Sequence, residues 1–183
     1  MAFGLTARKS RRKVIQVIAR PKKHQPRDGD MTKSVHWFCE DSIDLQLQAG
    51  SQLETISAML QMASQSGVVS DMRHLSQELL HHEVIAPSAS GCCSVIFRVL
   101  STVVAEARLF FGRFDGGIGY ASKQGQPIDL IVLVIAPLES AEQFDDVVQR
   151  LEWALCDPAI NQRLRGAADA AEVRAIFSQL SLC

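Results

Sequence analysis

The residues best suited to covalent or phosphate chemistry in this chain of 183 residues are three histidines and a pair of cysteines. His74, His81 and His82 lie close together, and no histidine follows residue 82. A neutral imidazole has a free ring nitrogen and titrates near physiological pH, so each could serve as a base or a phosphoryl acceptor. Adjacent histidines near a helix end are more often solvated, which is the plainer reading of His81 and His82. Cys92 and Cys93 sit in the stretch SASGCCS and could form a reactive thiol site. Thiol reactivity needs a neighbouring base, cation or helix N-terminus. The sequence identifies none, so small inert hydrophobes are the plainer reading here. The five cysteines, at 39, 92, 93, 156 and 183, show no C-x-x-C spacing, and an odd count fits a reducing cytoplasm. No metal and no cofactor is expected.

The elements that must position these residues are legible in the apolar periodicity. IDLQLQ, from Ile43, alternates apolar and polar residues as a half-buried strand does. Ser51 and Glu54 have capping-box spacing, and Leu53, Ile56, Met59, Leu60 and Ala63 follow at helical intervals until Gly67. Ser70 is placed to cap a second helix, with Met72, Leu75, Leu79 and Leu80 on one face and the histidines along it. Three apolar stretches follow, SVIFRVL, ARLFFGRF and IDLIVLVIAP, which read as central strands. Ser140 with Gln143 repeats the capping-box spacing ahead of Phe144, Val147, Val148, Leu151 and Leu155. Asp157 before Pro158 marks a short helix, and Asp169 with Glu172 opens the last one. Two helices, a set of strands and three helices predict one α/β (α+β) domain, a central mixed sheet flanked by helices.

Several stretches, taken together, resemble one family. Residues 82 to 98 read H-E-V-I-A-P-S-A-S-G-C-C-S-V-I-F-R. They align without a gap to R-E-x-x-G-S-T-G-I-G-N-G-I-A-I-P-H of the phosphotransferase-system enzyme IIA domains of the fructose, mannitol and nitrogen-regulatory type. GQPIDLIVLVIAP (125 to 137), CDPAINQRLRGAADAAEVRAIF (156 to 177) and SIDLQLQAGSQLETI at the front are similar to three further family segments in the same order. The resemblance implies the family's fold over nearly everything after residue 40, and a function in phosphoryl transfer or regulation by docking.

The same alignment implies that the chemistry has changed. The family's phosphoryl-accepting histidine falls on Arg98, whose guanidinium stays protonated and has no lone pair for phosphorus. The second active-site histidine falls on Phe144. The Ser-Thr pair becomes Pro87 and Ser88, and Gly-Asn-Gly becomes Gly91, Cys92 and Cys93. The expectation is a degenerate site around Ser88, Gly91, Cys92, Cys93, Phe97, Arg98 and Phe144 that works by protein contact. Arg98 could hold a phosphorylated partner, since guanidinium binds phosphate without accepting it. An exposed Phe144 flanked by Phe97 would give an apolar docking patch. The alternative is an active phosphocarrier with its acceptor relocated to His74, His81 or His82.

Charge divides the chain in two. Residues 1 to 30 carry nine Lys or Arg against two Asp, a net of +7, whereas the remainder carries ten basic and eighteen acidic residues, a net of −8. Residues 1 to 38 are expected to be a basic tail or upstream extension, and 39 to 183 the domain. Such a tail could touch nucleic acid or an anionic membrane surface. The longest apolar run, Leu130 to Leu138, is far short of the roughly 20 residues of a membrane helix. Expected partners are proteins: a carrier protein of the same system, a transporter or a kinase.

Overall fold

The computed structural model describes residues 37–85, 89–90, 93–118 and 127–180. The chain divides into two units, Met1–Thr32 and Lys33–Cys183. The first lies outside the described residues, and so does nearly all of the expected basic tail.

In the second unit five strands form one mixed sheet in the order β1-β4-β5-β3-β2. They are β1 (Ile43–Asp44), β2 (Ala89–Ser90), β3 (Ser94–Leu100), β4 (Arg108–Ile118) and β5 (Ile128–Ala136). β5 lies at the centre, parallel to β3 and antiparallel to β4. It is buried along nearly its whole length, as a continuous Ile/Leu/Val run should be when helices cover both faces.

Helices α1 (Gln52–Gln65) and α2 (Met72–Ile85) cover one face. Their Ile56, Met59, Leu75 and Leu79 pack with Val95, Phe97 and Val99 of β3. Helices α3 (Ala141–Cys156), α4 (Pro158–Gly166) and α5 (Ala170–Gln179) cover the other. There Phe144, Val148, Leu151, Leu164 and Phe177 pack with Ile96, Leu109, Phe111 and Val134. Trp37 and Phe38 already belong to this second core: Trp37 is buried and the Phe38 ring stacks on Phe177 at 4.7 Å. The period of two along β3 therefore sends Phe97 to one core and its neighbours Ile96 and Arg98 toward the other.

Several expected local signals form. Ser51 Oγ accepts from the Glu54 amide, and Glu54 Oε2 reaches back to the Gly50 amide, one residue before the cap. Gly67 follows α1 with φ 71°, a left-handed turn that glycine adopts without steric cost. Asp157 caps α4 ahead of Pro158, and Asp169 caps α5 through the Glu172 amide.

Three signals read differently. β1 is only two residues long, because Asp44 Oδ1 accepts from the Gln46 amide and bends the chain, carrying Leu47 into the opposite core from Leu45. The cap of α2 is Asp71, whose Oδ1 accepts from the Arg73 and His74 amides; Ser70 is drawn off instead to the Val103 carbonyl. Ser140 makes no side-chain cap, since a 3-10 turn at Leu138–Ser140 leads directly into α3.

Candidate functional site

β3 carries the residues on which the expected site turns. Cys93 immediately precedes it with φ 58°, a left-handed conformation that costs a side-chain-bearing residue about 1 kcal/mol or more. Its carbonyl accepts from the Asp129 amide of β5 at 3.2 Å. Asp129 in turn receives both arms of the Arg165 guanidinium from α4, Nη2 to Oδ1 at 3.0 Å and Nε to Oδ2. The hydrogen bond that Arg165 donates to Asp129 raises the Arg165 pKa above its usual value, partial burial opposes this, and Cys93 adds a smaller contribution in the same upward direction. Arg165 is therefore a permanent cation that ties α4 to the ends of β3 and β5.

Arg98 stands five residues further on, about 16 Å along an extended strand. Its side chain is 52% exposed, and Nη1 lies 3.5 Å from Oε1 of Glu152 on α3. The geometry is that of a surface ion pair, in which the guanidinium faces a carboxylate already supplied by the fold. Arginine at this place can bind an anion or a carboxylate; it offers no nucleophile.

The other expected residues separate. Phe144 is 4% exposed, inside the α3–α5 core, and Phe97 is fully buried in the α1–α2 core. The expected exposed patch of Phe144 flanked by Phe97 does not exist: the two rings lie on opposite faces of the sheet, because strand alternation points Phe97 away from α3. Ser88, Gly91 and Cys92 lie outside the described residues. His74, His81 and His82 are exposed on α2. His74 Nε2 lies 3.2 Å from Glu78 Oε1, one helical turn on, while Glu78 Oε2 is buried without a hydrogen-bond partner. These histidines ride on the helix layer opposite the one that holds Glu152.

Four residues of this region had no role in the sequence reading. Asp129 and Arg165 lie inside the segments that carry the resemblance, but nothing in their spacing couples them over 36 positions. Glu152 and Arg113 give no local signal either. Arg113 Nη1 donates to the carbonyls of Arg165 at 2.9 Å and Ala167 at 2.7 Å, closing the C-terminus of α4 with a side chain from β4.

Comparison with known proteins agrees with this architecture. Residues 37–180 match the family described as the phosphoenolpyruvate-dependent sugar phosphotransferase system, EIIA 2. The chain belongs to that family. It is 36% identical, over 110 residues, to a nitrogen regulatory protein of Bradyrhizobium diazoefficiens, a match covering 60% of this chain and 70% of the relative. Its fold is similar to that of the nitrogen regulatory protein IIA-Ntr from Neisseria meningitidis, with a TM-score of 0.69, 21% identity, and coverage of 75% of this chain and 94% of that one. It also resembles enzyme IIA mannitol of Escherichia coli, solved in complex with phosphorylated enzyme IIB mannitol, with a TM-score of 0.66, 18% identity, and coverage of 78% and 97%. No helix among the described residues is long and apolar enough to cross a membrane.

Proposed function

We propose that this chain is a nitrogen-regulatory-type enzyme IIA-like protein that has lost phosphoryl transfer at the family's histidine position and acts as a regulatory protein-binding module. The observation that carries this reading is the half-exposed Arg98–Glu152 pair at the position where the sequence aligns the phosphoryl acceptor. The Arg98 guanidinium that stands at the acceptor position has no lone pair with which to attack phosphorus, and the aligned second position is filled by the buried ring of Phe144. A cytoplasmic setting, with a carrier protein of the system, a transporter or a kinase as partner, follows from the family's way of working.

The test is intact-mass analysis after incubation with phosphoenolpyruvate, enzyme I and the carrier protein. No stoichiometric gain of phosphate supports the reading. An acid-labile gain mapping to His74, His81 or His82 overturns it in favour of a relocated acceptor.

A further inference from the structure

With Phe97 and Phe144 inside the two cores, the aromatic surface open to a partner must lie elsewhere. Among the described aromatic residues Trp153 alone is exposed, at 78%. Tryptophan is normally largely buried, and it is the residue most enriched at the energetic centres of protein interfaces. Trp153 sits on α3, whose inner face is accounted for by Phe144, Val147, Val148, Leu151, Ala154 and Leu155. At 100° per residue, Glu142, Asp146 and Trp153 fall on one outward line within about 40°, and Asp157 at the C-cap continues it.

This outer line is acidic. α3 exposes Glu142, Asp145, Asp146 and Glu152 against a single base, Arg150, which stands at the edge of the line and has an interaction of its own. Glu152, on the flank, already holds one guanidinium, that of Arg98. Asp157 Oδ1 is used by the α4 cap, so that residue contributes mainly charge. An anionic helix face repels nucleic acid and anionic lipid, and an indole among carboxylates suits a planar cation. One guanidinium can stack flat on the ring while further arginines of the same extended segment reach Asp146 and Glu142, about 10 Å and about 16 Å toward the helix N-terminus; an ammonium supplies charge without the stacking.

We propose that the outer face of α3, running from Trp153 to Asp146 and Glu142 about two and three turns nearer the helix N-terminus, docks an arginine-rich segment of a partner protein. The proposal rests on the protein-contact part of the function above and is independent of its phosphorylation part, which the mass analysis tests separately.

The experiment is calorimetric titration of the full chain with an oligo-arginine peptide and an oligo-lysine peptide of equal length, at low and at physiological salt. The oligo-arginine peptide should bind about tenfold more tightly than oligo-lysine, and Trp153→Ala should abolish that difference. Asp146→Asn should weaken both peptides a few-fold and reduce the salt dependence. Both side chains are exposed, so each variant keeps the wild-type urea midpoint. Equal affinity for the two peptides with no change in Trp153→Ala would overturn the proposal, leaving only diffuse electrostatics. Self-association in sedimentation that Trp153→Ala removes would also overturn it, by making a second copy the occupant.

Discussion

Arg98 on β3 and Glu152 on α3 stand 3.5 Å apart with both side chains half exposed, so the strand position aligned with a phosphoryl acceptor is tied electrostatically to the helix beside it. Exposed pairs of this kind contribute about 0–1 kcal/mol. Arg98→Ala and Glu152→Gln should each shift the urea unfolding free energy by no more than about 1 kcal/mol. A larger loss in either would mean that the pair holds α3 in place.

The two phenylalanines of the expected patch should behave as core residues. Phe97→Ala and Phe144→Ala each leave a cavity in a separate core and should cost about 3–5 kcal/mol in chemical denaturation. Because the rings lie on opposite sheet faces, the double variant should lose close to the sum of the two, to within about 0.5 kcal/mol if it still folds. Strong coupling between them would contradict their separation by the sheet.

Gly112 of β4 gives a test of packing between the sheet and α1. A Cβ built there would lie 2.8 Å from Leu47 Cδ2 and 3.2 Å from Met59 Sδ, and Leu47 and Met59 are both buried. Gly112→Ala should destabilise by about 1–3 kcal/mol, measured by urea or thermal unfolding. A neutral result would show that Leu47 moves aside freely.

Arg113 should matter more than a surface arginine. Its removal strips donors from the carbonyls at the end of α4, so Arg113→Ala should cost about 1–3 kcal/mol. Amide exchange in α4 and α5 should quicken more than in α1 and α2. Uniform exchange across all helices would argue against a local capping role.

What could be read from the sequence follows the range of the interactions. The helices, their Asp157 and Asp169 caps and the three long strands are set by neighbours within about four residues, and their patterns stand in the chain itself. At the start of α2 Ser70 and Asp71 both suit the cap by residue type. Only the bridge between Val69 and Val104, which brings the Val103 carbonyl to Ser70, decides between them. The burial of Phe144 followed from its place on the apolar line of α3, yet alignment with a site residue argued for the surface. Asp129 with Arg165, Arg113 with α4, and Arg98 with Glu152 join distant segments and depend on sheet order, which no local pattern encodes. The exposure of Trp153 was likewise hidden, since an outward tryptophan runs against its residue type.

The most direct test is to mix purified carrier protein, already phosphorylated on histidine, with this chain and follow the phosphohistidine signal by phosphorus NMR. The carrier should keep its phosphate over a period in which a histidine-bearing enzyme IIA of the same family empties it. Transfer to this chain at a comparable rate would contradict the loss of phosphoryl transfer.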